Sequence, residues 1–183
     1  MFLYMTKSIK LNSGKIISMR DEINATKKKY WKIIRTTNLL SKTEIKNGFR
    51  THDIKSLYNQ ITQLAEKLVL VKGMLCYLNM GIATFNEEEF KKTNNYSIFQ
   101  ACELKEIIAQ LKMIPTLDPK TKAQKGLKAM PKDEVFTSAK IAALIKDLEL
   151  KANKFDNSMD NFNKNTEIDI ATISDKFETE LAA

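Results

Sequence analysis

The chain has 183 residues, is 43% hydrophobic and carries a formal net charge of +8. This length predicts one domain, or one domain with an appendage, that buries enough surface to fold without a metal or a disulfide. The small number of breakers, five Gly and three Pro, argues against a many-stranded β fold, which needs a turn about every ten residues.

The charge is distributed unevenly along the chain. Residues 1–56 hold 13 Lys/Arg against 4 Asp/Glu, whereas residues 141–183 hold five against nine. The chain is thus basic in its N-terminal part and acidic in its C-terminal part.

Two cysteines, Cys76 and Cys102, do not make a disulfide framework. No uncharged apolar run reaches the roughly 18 residues that a membrane span requires. We expect a cytoplasmic protein, or a virion-associated one if the source is a phage.

The first predicted helix covers residues 13–40 and follows an N-terminal tip, residues 1–12, for which we expect disorder. Apolar residues recur at alternating steps of three and four from Ile16 to Leu40, and Ser13 is the expected N-cap. Residues 41–51 are predicted to form the first connector.

The second predicted helix, residues 53–80, has the most regular pattern in the chain. Eight aliphatic side chains follow strict three- and four-residue steps, a spacing that a strand cannot satisfy. At 1.5 Å per residue this stripe is about 37 Å long. Its members are Ile54, Leu57, Ile61, Leu64, Leu68, Val71, Leu75 and Leu78.

Two further helices are predicted, at residues 97–114 and 137–163. Residues 86–95 are polar and read as a loop or a short helical turn, and Ser97 is the expected cap of the third helix. A connector, residues 115–136, contains all three prolines and five lysines. The fourth helix has an apolar stripe from Ile141 to Phe162. A short amphipathic helix is predicted at residues 166–183.

These patterns predict an all-α fold. Long amphipathic helices joined by connectors fold back as antiparallel hairpins and pack as a coiled-coil-like bundle. We expect the first helix to pair with the second and the third with the fourth. The two most regular stripes, residues 54–78 and 141–162, are natural candidates to form the core together.

No catalytic, metal or cofactor signature is present in the sequence. His52 is the only histidine and has no Cys or His at ligand spacing. Glu87, Glu88 and Glu89 read as a solvated acidic patch, because adjacent residues on a turn point in different directions. No Gly-rich phosphate loop occurs. We therefore expect neither an enzyme, nor a cofactor, nor a small-molecule substrate.

The basic N-terminal part of the chain is the one candidate binding surface in the sequence. Lysines beside Tyr30 and Trp31 on the first helix suit contact with phosphates and stacking on bases. They equally suit pairing with the acidic end of the chain. The candidate polyanion-binding residues are Lys27, Lys28, Lys29, Lys32 and Arg35, together with Lys120, Lys122, Lys125 and Lys128 of the connector.

The arrangement of helices resembles the septicolysin-like family of small bacterial helical proteins. The corresponding stretches are residues 10–12, 57–79, 97–111 and 133–167, and the closest is 141–163, IAALIKDLELKANKFDNSMDNFN. A basic stretch, residues 41–52, stands where that family has an acidic connector. The resemblance implies an all-α fold and oligomerisation, and it implies no activity.

Together these features favour a structural or interaction protein that assembles with itself or with a protein partner through amphipathic helices. The Lys- and Asn-rich composition fits an accessory or assembly protein of a phage or a low-GC bacterium. A nucleic-acid-binding protein that uses the basic first helix is one alternative. A membrane-active lysin is the other.

Overall fold

The computed structural model describes residues 9–117 and 132–167. These residues confirm the predicted all-α fold. Six helices and a two-stranded antiparallel sheet are present in this part of the chain. In chain order they are α1 (Ser13–Thr37), β1 (Leu39–Ser41), α2 (Lys42–Lys46), α3 (Ile54–Asn79), α4 (Glu87–Lys91), α5 (Asn94–Lys112), β2 (Lys132–Glu134) and α6 (Ser138–Asn165).

The four long helices, α1, α3, α5 and α6, form a bundle. α1 packs along α3, and α5 packs along α6 and α3. The α1–α3 and α5–α6 pairs are antiparallel, as ring contacts between them show. Trp31 near the end of α1 lies 6.2 Å from Tyr58 near the start of α3, and Tyr96 at the start of α5 lies 6.0 Å from Phe155 late in α6.

One buried cluster joins the four long helices. Its aliphatic members on α3 follow the predicted stripe at Ile54, Leu57 and Ile61, and α6 contributes Ile141 and Leu148. The two regular stripes therefore share one core, as expected. The ends of both stripes leave it, because Leu78 and Phe162 are exposed.

The second densely packed region lies around Phe90 of α4, whose side chain is fully buried. Its ring is 6.1 Å from that of Tyr77 on α3 and 5.6 Å from that of Tyr96 on α5. Gly73 faces the same ring, and a Cβ at that position would lie 2.5 Å from it. The polar stretch 86–95 thus contains a short helix that anchors the turn between α3 and α5.

A buried asparagine holds the opposite end of the bundle. Asn38, the C-cap of α1, donates from Nδ2 to the carbonyl oxygens of Pro115 (2.8 Å) and Phe136 (3.1 Å). Its Oδ1 accepts from the Phe136 N–H at 2.7 Å. One side chain therefore fixes the end of α1, the end of α5 and the approach to α6.

Arg50 reinforces this end from outside. It donates to the carbonyl oxygens of Thr37 (3.1 Å) and Asn38 (3.0 Å), and its Nη1 lies 2.5 Å from the Asp133 carboxylate. β1 pairs with β2 at the same place, with Leu40 opposite Asp133. The helix predicted over residues 13–40 therefore ends early, at Thr37, and the residues after it pair as a strand with the end of the connector predicted at 115–136.

Several helix ends differ from the expected positions. α1 is capped by Asn12 rather than Ser13, because the Asn12 side chain accepts from the Lys15 N–H. α5 begins at Asn94 under a Thr93 cap, and Ser97 lies buried inside the helix. The tip up to residue 8, residues 118–131 of the connector and the predicted last helix beyond residue 167 lie outside the described residues.

Candidate functional site

An open groove of about 680 Å³ lies between α3 and α6, with α5 forming its floor. Its walls are largely apolar. Ala65 on α3, Leu104 and Ile107 on α5, and Leu148 and Phe155 on α6 line it. Both α3 and α6 pack on α5. Buried side chains of the three helices belong to one cluster, which lies at the base of the groove.

Three lysines lie along the rim of this groove, Lys91, Lys151 and Lys154, together with one exposed carboxylate, Glu66. Lys91 is 2.8 Å from Glu87 and 3.0 Å from Glu88, and the hydrogen bonds that its ammonium donates to these two carboxylates raise the pKa of Lys91. Exposed pairs of this kind are screened by solvent and contribute little to stability. The rim lysines can therefore exchange their partners for the carboxylates of a ligand at little cost.

Lys151 and Lys154 complete the positive side of the rim. Lys151 lies 2.7 Å from Asp147 one turn away on α6. Lys154 makes no ion pair within residues 9–117 and 132–167. Both side chains stand on the α6 edge of the groove, where they favour an acidic ligand.

Beneath the groove a charged network crosses the bundle. The Glu103 side chain on α5 is almost fully buried, with 3% of the residue exposed. One carboxylate oxygen accepts from Nζ of Lys27 on α1, and the other accepts from Nζ of Lys72 on α3 at 2.6 Å. Lys27 also lies 3.0 Å from Glu106. Because both oxygens of Glu103 are engaged, this residue joins three helices and presents no unpaired charge to the groove.

Lys27 therefore does not belong to the polyanion-binding surface in which the sequence analysis placed it. Its side chain is buried, with 1% of the residue exposed, because α1 turns a different line of residues toward the core. Lys27, Trp31, Ile34 and Asn38 form that line, at steps of four, three and four. The only tryptophan of the chain was the available signal for this register.

The other candidate residues separate into three groups. Lys28, Lys29 and Lys32 are exposed on α1. Arg35 is half-buried and donates to the side-chain oxygen of Gln110 on α5. The four connector lysines, Lys120, Lys122, Lys125 and Lys128, lie outside the described residues. Among the candidate residues that the structure describes, three lysines are thus exposed on α1.

Sequence reasoning missed the groove. The two regular stripes were expected to form the core together, and no prediction was made about the space between α3 and α6. The weak signal in the sequence was the row of half-apolar, half-polar positions on α5, where Ser97, Gln100 and Leu104 recur at helical spacing.

Neither a metal site nor a membrane span emerges from the described ranges. Within residues 9–117 and 132–167 no three His, Cys, Asp or Glu side chains are placed to hold a metal ion. In the same ranges no helix is both long and apolar enough to cross a bilayer. His52 is exposed and contacts the hydroxyl of its neighbour Thr51 at 2.7 Å.

No family model, curated protein or solved structure matches the chain significantly. The resemblance to the septicolysin-like family accordingly rests on the four stretches quoted above.

Proposed function

We propose that this chain is an interaction protein that binds an acidic amphipathic helix of a protein partner in the groove between α3, α5 and α6. The observation that carries the proposal is the open apolar groove with its lysine rim. Helices that place one apolar face in such a groove are a common mode of recognition between proteins.

The dimensions of the groove suit a helix. Its α6 wall runs from Leu148 to Ser158, which corresponds to about 15 Å along the helix axis. A bound helix would present three or four side chains over that distance, at steps of three and four residues. Leu104, Ile107 and Leu148 would receive its apolar face, and the rim lysines would meet flanking carboxylates.

The chemistry of the groove favours recognition over catalysis. Apart from the charged rim, its polar groups are amide, hydroxyl and carboxylate side chains: Thr62, Tyr96, Ser97, Gln100, Glu103 and Ser158. Both oxygens of Glu103 already accept from lysines, and Ser97 is buried. An accessory or assembly role in a phage or a low-GC bacterium, with self-association as one form of it, belongs to the same proposal.

Photo-crosslinking tests the partner-binding role directly. A benzophenone amino acid is introduced at Thr62 or Ser158 in the groove, and at Asn153, which is exposed on the opposite side of α6, as the matched control. In cells of the native source we expect one defined crosslinked product from both groove positions and none from position 153. Equal crosslinking from all three positions, or none from any, contradicts the proposal.

A second candidate function is nucleic-acid binding by α1. The observation in its favour is that Lys28, Lys29 and Lys32 are exposed within about a turn and a half of helix. Binding to single-stranded or duplex DNA at low salt, lost in the triple variant K28E/K29E/K32E, would support this function, because phosphate contacts dominate such affinity. Absence of binding at low salt would exclude it.

A further inference from the structure

We infer that the groove is covered in the free protein by the chain's own C-terminal segment, residues 168–183, which a partner helix must displace. This inference rests on the proposed ability of the groove to bind an acidic amphipathic helix. It adds the identity of the first occupant and a means of regulation.

The sequence of the segment has the required chemistry. Its apolar residues Ile170, Ile173, Phe177 and Leu181 recur at steps of three, four and four, the spacing of one helix face. The same 16 residues contain four Asp/Glu and a single Lys. An apolar stripe with acidic flanks is what the apolar walls and the lysine rim of the groove would select.

The lengths agree. From Ile170 to Leu181 a helix would rise about 17 Å, and the α6 wall of the groove rises about 15 Å between Leu148 and Ser158. All four apolar side chains of the segment could therefore lie in the groove at the same time. A longer stripe would extend past Leu148, and a shorter one would leave part of the walls uncovered.

The connection is also short enough. α6 ends at Asn165, seven residues and about 10 Å beyond Ser158. The four residues 166–169, if extended, reach about 13 Å. The chain can thus reverse direction and bring Ile170 back to the level of Ser158 without any change in α6.

Charge favours this occupant over solvent. Lys154 has no ion pair within the described ranges, and the existing partners of Lys91 and Lys151 are exposed neighbours on their own helices. Aspartate and glutamate side chains of the segment would bring negative charge to a rim with three lysines and one exposed glutamate. Glu66 would lie opposite the segment's single lysine or be solvated.

Tethering has a functional consequence. A segment joined to α6 by four residues has an effective concentration near the groove in the millimolar range or above. A free partner helix would compete with it, so that the apparent affinity of the partner would equal its intrinsic affinity multiplied by the fraction of molecules whose groove is open. Whatever draws the segment away would activate binding.

Paramagnetic relaxation in the full-length chain tests the inference. A nitroxide label is attached at T179C, opposite the apolar stripe, in a C76S/C102S background, and amide signals are recorded in uniformly ¹⁵N-labelled protein. We expect the signals of Thr62, Ser97 and Ser158 to lose more than half of their intensity, and signals in the Asn38 region at the far end of the bundle to keep theirs.

Two variants of this labelled protein distinguish specific docking of the segment from chance proximity of the label. I173E/F177E places charge in the apolar stripe and should restore the groove signals. T172E/A182E adds the same charge on the opposite face and should leave the broadening in place. Full intensity at the groove in the parent protein, or equal effects of the two variants, would overturn the inference.

A mixture of ¹⁵N protein without label and labelled protein without ¹⁵N separates cis from trans occupancy. Broadening of the groove in this mixture would mean that the segment of a second copy is bound, which contradicts docking within one chain. The crosslinking experiment is independent of this result. If a partner is captured at positions 62 and 158 but no segment is docked, this inference alone is contradicted. If the segment is docked but no partner is captured, the partner-binding role is contradicted.

Discussion

At the scale of single residues, two polar side chains hold helices together from inside the bundle. Asn38 has no exposed surface and makes three hydrogen bonds to the backbone of two other segments. Lys27 is buried beside Glu103 and joins α1 to α5. A buried polar group of either kind is costly to leave unpaired, so both positions are sensitive to substitution.

Asn38→Ala should lower the free energy of unfolding by about 3 kcal/mol, because Pro115 O, Phe136 O and Phe136 N lose their partner and each lost bond costs about 1 kcal/mol. Urea unfolding followed by circular dichroism measures the change. Asn153→Ala, at an exposed site on α6, is the control and should change stability by less than about 0.5 kcal/mol. Equal unfolding midpoints for the two variants would contradict the role of Asn38.

Lys27→Met should destabilise the fold by about 3 kcal/mol, since it removes one partner of a buried ion pair and leaves the Glu103 carboxylate in the core. Replacing both partners by apolar side chains is far better tolerated than removing one, so K27M/E103M should recover more than half of the loss. Lys28→Met, at the exposed neighbouring position, should have almost no effect. These four proteins form one series of urea titrations. A double variant no more stable than Lys27→Met would show that the network is required as a whole.

At the scale of the elements, the contact between α3 and α4 depends on one residue without a side chain. Gly73 lies inside a long helix, where glycine costs about 1 kcal/mol relative to alanine. The Phe90 ring occupies the space that a Cβ would need. The helix therefore accepts a poor helix former in order to bury an aromatic side chain from the turn that follows it.

Gly73→Ala should consequently destabilise the protein by about 1–2 kcal/mol, because overpacking against Phe90 outweighs the gain in helix propensity. In a Phe90→Ala background the same substitution should become neutral or stabilising, since the opposing ring is gone. Gly14→Ala, in the exposed first turn of α1, serves as a control, because a Cβ there would meet only Asn12 Oδ1, at an ordinary contact distance of 3.6 Å. Thermal unfolding of the four variants gives the sign of each change, and a stabilising Gly73→Ala in the parent protein would refute the assignment.

The apolar periodicity of the helices was predicted well from the sequence. The stripe of α3 predicted Ile54, Leu57 and Ile61 in the core, and the first residues of the predicted second and fourth helices, Asp53 and Thr137, are the N-caps of α3 and α6. Periodicity failed on α1, where apolar and basic residues alternate so closely that two registers fit. Burial of Lys27 depends on Glu103, which is 76 residues away, and no local pattern reports such a partner.

The same limit explains why the groove was missed. A stripe states which face of a helix is apolar, and it does not state how far apart two such faces lie. The separation of α3 from α6 is set by their joint packing on α5 and by the anchors at the two ends, Phe90 and Asn38. These are tertiary contacts between polar or turn segments that carry no periodic signal.

At the scale of the whole molecule, the two anchors, Asn38 and the contact of Phe90 with Gly73, lie at opposite ends of the bundle, and one buried cluster joins its four long helices. Asn38 and Gly73 are separated along the bundle by roughly 30 Å, judged from the lengths of α1 and α3. Sites that far apart with no shared partner act independently on stability. A single core predicts, in addition, that the described helices unfold together.

The double variant N38A/G73A should therefore lose the sum of the two single losses, within about 0.5 kcal/mol. Trp31, which packs near Asn38 against Tyr58, reports on one end by fluorescence, while far-ultraviolet circular dichroism reports on all helices. We expect the two signals to give one coincident urea transition in every variant. Separate transitions would show that the hairpins are independent units.

The hydrogen bonds of Asn38 also bear on the order in which the chain folds. They join residues that are 77 and 98 positions apart, whereas Gly73 and Phe90 belong to one local turn. Contacts that close such long loops form late, after the antiparallel pairs have gained most of their local contacts. In stopped-flow measurements Asn38→Ala should therefore speed unfolding and leave the refolding rate nearly unchanged. Asn38 would then slow unfolding of the native state. It would set how long a folded molecule persists rather than how quickly it forms.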